Sequence, residues 1–285
     1  MNNIIKRYRF ELLLLAPLLL YLLVFTVGPI LKTIILSFQD AATGAAGIAN
    51  YKDLIGQEGF RQAFFNTLFI AVVSLAIEIS LGLVLALILS SGLKAARNIR
   101  TLFILPLAIP TVVVGVIMSF MFSTSGWINR ILTDLAVIGS PIFWMEGGIK
   151  SLMMVTLADC WKVTPIVMLI LLAGLESIDR DLYKAARIDG AGRFYIFKRV
   201  TIPLLMPSIT AAVIIRGIDA FRIFALPMIL MGQNLKVIGT FSYLEYTEYA
   251  NTHTSAASSV ILLSMILVAV AFYIKAVGKK GIAVA

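Results

Sequence analysis

Six charged residues, Glu78, Asp159, Lys162, Arg216, Asp219 and Arg222, stand inside runs that are otherwise apolar. A charge at the centre of a membrane helix costs about 2.5–3.5 kcal/mol or more, so such groups face a cavity or a partner rather than lipid. Asp159 and Lys162 lie three residues apart, close enough to pair on one helix face, and they flank Trp161 shortly before Pro165. Arg216, Asp219 and Arg222 repeat the three-residue step, which puts them on one broad stripe with Phe221 and Phe224 nearby. Carboxylate and guanidinium groups take vicinal hydroxyls in pairs, and aromatic faces cover the C–H side of a sugar ring. Both ingredients occur here at membrane depth. Two other readings stand beside that one: the charges can neutralise each other as glue between helices, or Glu78, Asp159 and Asp219 can be the proton or sodium sites of an ion-coupled carrier.

No other constellation in the chain suggests a catalyst. Cys160 is the only cysteine and falls in an apolar run, which excludes a disulfide within the chain and argues against a thiolate metal site. His253, the only histidine, reads as a solvated residue of a polar outer loop. There is no G-x-x-x-x-G-K-[ST] phosphate loop, no nucleophile elbow and no HExxH. The chain is therefore expected to be no enzyme and to bind no cofactor or metal itself. Its net charge of +9 comes without an aromatic-interleaved basic patch, so nucleic acid is not an expected partner.

The elements that must position these groups follow from hydropathy. The 285 residues are 60% hydrophobic and 14% charged, with a mean hydropathy of +0.97, well beyond the roughly 45–50% apolar usage of soluble domains. About 20 apolar residues cross a bilayer as helix. Six such spans can be read, at about 10–37, 64–89, 101–122, 152–175, 203–230 and 257–276. Runs such as LLLLAPLLLYLLVF are apolar on every face, unlike the alternating strands of a barrel, so the fold class is an all-α membrane protein with six transmembrane helices. The first run follows Lys6, Arg7 and Arg9 but is too long for a typical signal peptide and lacks a small-residue cleavage site, so an uncleaved helix is expected.

Basic residues orient the chain. Lys6, Arg7, Arg9, Lys94, Arg97, Arg100, Arg180, Lys184, Arg187, Arg193, Lys198, Arg199, Lys275, Lys279 and Lys280 fall on one side; Lys52, Arg61, Arg130, Lys150 and Lys236 fall on the other. Fifteen against five places the first side, with both termini, in the cytoplasm. The outer segments Asp40–Arg61 and Ser123–Lys150 then carry Trp127 and Trp144 as interfacial anchors. Pro106, Pro110 and Pro165 can kink their spans.

The longest charged stretch on the cytoplasmic face is 179–202. Asp179 can cap a helix, Leu182, Ala185, Ala186 and Ile188 give it an apolar stripe, and Gly190 suits the left-handed residue that ends it. A second short helix, Gly192 to Val200, follows before Pro203 opens the next span. The small residues Ala185, Ala186, Gly190 and Ala191 allow another protein to approach closely.

At these residues a resemblance becomes specific. A-A-x-x-D-G-A followed by F-x-x-V-T-I-P, from Ala185 to Pro203, resembles the coupling loop of permease subunits of bacterial ABC importers, and LAGLESIDRDLYKAARIDGAGRF is similar to the carbohydrate branch, the maltose, trehalose and glycerol-phosphate type. The resemblance implies a type I ABC importer permease fold, one transmembrane domain over 1–285, seated in a bacterial or archaeal cytoplasmic (inner) membrane. It implies a second, homologous permease, two copies of a P-loop ATPase that hold ATP and Mg, and an extracytoplasmic sugar-binding protein as partners, besides lipid. The ATPase would dock on Lys184, Ala185, Ala186, Asp189, Gly190, Ala191, Phe194, Phe197 and Pro203. The family usually carries Glu where this chain has Lys184, which reverses a charge at that surface. W-x-x-x-P at Trp161–Pro165 is similar to the fourth core span of maltose-type permeases, whose sugar-lining positions fall on Asp159, Lys162, Val163 and Ile166. DAFRIFALPMIL resembles their fifth-span segment, placing Ala220, Phe221 and Ile223 at the sugar with Asp219 and Arg222 beside them; Thr111, after LPLAIP, matches a hydroxyl-bearing position. Beyond this segment the chain reads MGQN from Met231, where the family commonly has Thr and then Gly-Gly-Pro.

Overall fold

The computed structural model describes residues 9–41, 43–91 and 96–277. Lys6, Arg7, Lys94, Lys279 and Lys280, and the side chains of Arg9 and Arg97, all used for orientation above, lie outside what is described. In chain order the helices are α1 (Arg9–Leu22), α2 (Gly28–Ser37), α3 (Ala49–Gly56), α4 (Glu58–Ser90), α5 (Ala96–Ala108), α6 (Thr111–Met121), α7 (Trp127–Asp134), α8 (Gly148–Glu176), α9 (Arg180–Ile188), α10 (Arg193–Ile196), α11 (Ile202–Phe221), α12 (Ala225–Met231), α13 (Ile238–Thr247) and α14 (Thr252–Val277). A π turn, Leu23–Val27, joins α1 to α2, and a second, Phe197–Thr201, joins α10 to α11.

Among the described residues five helical stretches are long and apolar enough to cross a membrane, and α5 with α6, bent by 100° at their break, makes a sixth. The bend falls at Pro110, whose extended ψ of 140° caps α6. Pro106 and Pro165 instead lie inside unbroken helices.

The fifth span differs from the expected 203–230. It begins at Arg193 and runs unbroken to Phe221; α12 is a separate piece after a break at Arg222, Ile223 and Phe224. The second short helix of the 179–202 stretch is thus the start of a span rather than a free element. The wide π turn makes this possible, because the Ile202 N–H reaches back to the Phe197 carbonyl while Pro203, one residue on, has no N–H to place.

The chain folds into two compact units, one running to Phe60 with Phe241–Ile261, the other Arg61–Thr240 with the segment from Leu262 on. In the first, Asn50 Nδ2 donates to the Ser37 and Gln39 carbonyls (3.0 and 2.7 Å), Tyr51 Oη to Ser37 Oγ (2.7 Å), and Phe60 meets Phe241 edge-on. His253 also belongs here. It lies in the first turn of α14 with Nδ1 3.1 Å from the Leu36 carbonyl, so it is a half-buried helical residue and not a solvated loop one.

The second unit is built around α8, the most enclosed of the spans. One apolar cluster joins α4, α6, α8 and α12 through Ile70, Val114, Met118, Met154, Val155 and Leu226. Another joins α4, α8 and α11 through Ala86, Val167, Met168, Leu171, Leu205 and Ala212. Gly174 lets α8 and α11 close together: a Cβ there would lie 2.2 Å from Ser208 Oγ and 2.8 Å from Leu205 Cδ1. In this unit Trp144 packs edge-on against Phe122 and donates Nε1–H to Asn129 Oδ1 at 3.1 Å, so it ties a loop together. Trp127 is exposed.

Candidate functional site

Along α4 the buried positions Ala63, Thr67, Ala71, Ser74, Glu78, Gly82 and Ala86 recur at three- and four-residue steps, so Glu78 shares the inward face with the residues that pack against α8. In α8, Asp159 follows buried Ala158, and in α11 Arg216 lies four residues after buried Ala212. Those three faces bring the three charges together between the two apolar clusters. Arg216 donates Nε–H to Glu78 Oε2 (2.6 Å) and an Nη2–H to Glu78 Oε1 (3.0 Å), and its Nη2 also donates to Asp159 Oδ2. The guanidinium thus forks across one carboxylate and reaches a second. Glu78 is wholly buried and Arg216 and Asp159 nearly so, at 4% and 6% exposed.

This corrects the pairing expected from spacing. Asp159 bonds Arg216 of another span, and no ion pair joins it to Lys162. Nor do Arg216, Asp219 and Arg222 act as one stripe: Arg216 points into the protein, while Asp219 and Arg222 are exposed.

Beside the triad an open cavity of about 310 Å³ is lined by Thr111, Asp159, Lys162, Val163, Asp219, Arg222, Ile223, Phe224, Ala225 and Leu226. That volume is at the lower end of the roughly 300–1,000 Å³ of ligand pockets. Of the residues singled out in the sequence, Thr111, Asp159, Lys162, Val163, Asp219, Arg222 and Ile223 line it. Ala220 is fully buried, and Ile166 and Phe221 are half-buried outside the lining. Ala225 and Leu226 were not anticipated as lining, and Phe224 was noted only as an aromatic near the charges. They arrive there because the chain breaks at 222–224, a break whose one signal in the sequence is Pro227 in the first turn of α12.

Two helix breaks meet at this cavity, the one before Thr111 and the one before Ala225. Irregular backbone at membrane depth is tolerated where it is buried in protein or lines a water-filled cavity, since lipid cannot satisfy freed N–H and C=O groups. The breaks and the charges converge on one place.

The 179–202 stretch has the local chemistry its residues suggested. Asp179 Oδ1 accepts the Asp181 N–H at 2.9 Å, capping α9. Gly190, at φ +79°, ends it; the Ala191 N–H bonds the Ala186 carbonyl (2.9 Å) and the Gly190 N–H the Arg187 carbonyl (3.1 Å), the paired bonds of a Schellman stop. Asp189 is the C-cap. Lys184 forms an exposed ion pair with Asp181 at 2.8 Å. Ile188 and Phe194 are 85% and 76% exposed, and the 179–202 face around them is largely open to solvent.

Residues 78–278 match the family model described as binding-protein-dependent transport system inner membrane component. The trehalose/maltose transport system permease protein MalF of Thermococcus litoralis is 34% identical over 279 residues, 94% of each chain. The trehalose transport system permease protein SugA of Mycobacterium tuberculosis is 31% identical over 278 residues, covering 95% of this chain and 89% of that one. Among solved structures, a chain of a bacterial ABC transporter involved in the import of the acidic polysaccharide alginate superposes with a TM-score of 0.83 at 23% identity, over 95% of this chain and 96% of that one.

Proposed function

The chain belongs to the family of binding-protein-dependent transport system inner membrane components, and from that premise we propose that it forms half of the translocation pathway of an ATP-driven sugar importer. As a member of that family it is a pathway subunit and not an enzyme. Its partners in this reading are a second, homologous permease, two copies of a P-loop ATPase that hold ATP and Mg, and an extracytoplasmic sugar-binding protein. Residues 1–285 act as one permease domain with both termini cytoplasmic.

The observation that carries the reading is the convergence of two helix breaks and four charged side chains, Asp159, Lys162, Asp219 and Arg222, on one cavity between spans. Carboxylates accept from sugar hydroxyls, Lys162 and Arg222 donate to them, Thr111 does either, and Phe224 offers an apolar face. Val163 and Ile223 shape the wall; Ile166, Ala220 and Phe221 support it from outside the lining. The cargo names of the Thermococcus and Mycobacterium relatives, trehalose and maltose, support a neutral sugar.

The coupling surface is 179–202. Lys184, Ala185, Ala186, Asp189, Gly190, Ala191, Phe194, Phe197 and Pro203 form it, and its exposed Ile188 and Phe194 ask for a protein partner. Because Lys184 is held by Asp181, the reversed charge is partly neutralised within the chain, and the partner is expected to need no large compensating change.

Proteoliposomes test the proposal. Vesicles holding this chain, its co-encoded permease, the ATPase and the binding protein should take up trehalose or maltose only with ATP. Uptake by vesicles holding this chain alone, driven by a proton or sodium gradient, would replace the proposal with an ion-coupled carrier.

A further inference from the structure

The charges around the cavity balance in a particular way. Four of them form its wall, Asp159 and Asp219 against Lys162 and Arg222, and cancel. Directly behind the wall Arg216 contributes a fifth charge, positive and bonded to Asp159. Glu78 offsets it without touching the cavity: it is fully buried, outside the lining, and both of its oxygens accept from Arg216 in a carboxylate–guanidinium fork.

We propose that Glu78 is a specificity-determining residue that acts at second hand, cancelling Arg216 so that the cavity is electrically neutral and accepts uncharged sugars in preference to acidic ones. This rests on the sugar reading above and adds to it the residue that sets the charge class of the cargo. Pure packing would not require a carboxylate at 78, since Arg216 already has Asp159 as a counterion. With Glu78 neutralised, one positive charge acts on the cavity from behind Asp159. At a separation of about 10 Å and an effective dielectric of about 20, one charge changes the affinity of a singly charged ligand by about tenfold.

The experiment uses the purified permease–ATPase complex and equilibrium binding of two probe pairs, trehalose and maltose with their 6-carboxylates, which exchange CH2OH for COO⁻ and change little else. The wild-type complex should bind the neutral member more tightly. Glu78→Gln keeps side-chain length and an acceptor for Arg216 Nε, and should raise the acid-to-neutral affinity ratio about tenfold. Lys162→Gln should move the ratio the other way, and Glu78→Gln/Lys162→Gln should return it to the wild-type value, a compensation that a purely structural role does not predict. An unchanged ratio in an assembled Glu78→Gln complex overturns the proposal. So does failure of Glu78→Gln to assemble, which would make residue 78 a structural ion. If the wild-type complex binds none of the four probes, the sugar reading itself falls, a distinct outcome from loss of the ratio effect.

Discussion

Replacing Arg216 by Met removes the group that holds three spans together while keeping most of its volume. Its three hydrogen bonds, at 2.6 and 3.0 Å to Glu78 and one to Asp159, are charge-assisted, and each such bond contributes about 1.5–3 kcal/mol in soluble proteins. In membranes polar contacts between helices average only about 0.6 kcal/mol, because separated helices find other partners. The larger effect is what remains: two carboxylates, 0% and 6% exposed, face each other with no cation between them. Removing one partner of a buried ion pair costs about 3–5 kcal/mol for this reason, and that term decides the outcome. At about 2–4 °C per kcal/mol for a chain of this size class, the melting temperature of the purified complex, followed by tryptophan fluorescence in detergent, should fall by roughly 10 °C. Arg216→Lys keeps the charge but cannot fork across Glu78 and reach Asp159 as well, so it should fall between. A Met variant that melts with the wild type would refute the triad as the tie between α4, α8 and α11.

Two further outcomes follow from backbone geometry. Gly174→Leu forces its Cβ to within 2.2 Å of Ser208 Oγ, so α8 and α11 must separate and the variant should co-purify poorly with its partner permease; Gly174→Ala combined with Ser208→Ala should recover part of the yield. Gly190→Val places a β-branched residue at φ +79°, costing roughly 1–2 kcal/mol in α9 termination. With nothing within 4 Å of its Cβ to clash, the variant should insert in the membrane normally yet lose ATPase co-purification and ATP-driven uptake.

Local chemistry was legible in the sequence, and long-range pairing was not. Asp179, Gly190 and the bend at Pro110 could be read because each acts on backbone within a few residues. Glu78 was conspicuous as a charge in a greasy run, but its partner lies 138 residues away, and helical spacing offers only neighbours at three and four. Spacing therefore paired Asp159 with Lys162 when burial favoured the forked guanidinium of another span. The break at 222–224 was missed because hydropathy runs through DAFRIFALPMIL as one span, although Pro227 stands in the first turn of the helix that follows the break, where proline suits a helix start. His253 was misplaced for the opposite reason: NTHTS is polar enough for a loop, yet Thr252 starts a helix whose first turn packs on the Leu36 carbonyl. The cavity lining at Thr111, Val163 and Ile223 came from family resemblance, since nothing in their residue types points to a site.

Whether cargo passes beside the triad can be read at a single atom. Val163 lines the cavity, and the chain's one cysteine, Cys160, is buried, so Val163→Cys in a Cys160→Ala background gives one reactive thiol on the wall. In the assembled importer trehalose or maltose should slow maleimide labelling of that thiol in proportion to site occupancy. Labelling at the same rate with saturating sugar, in a complex that still transports it, would contradict the account.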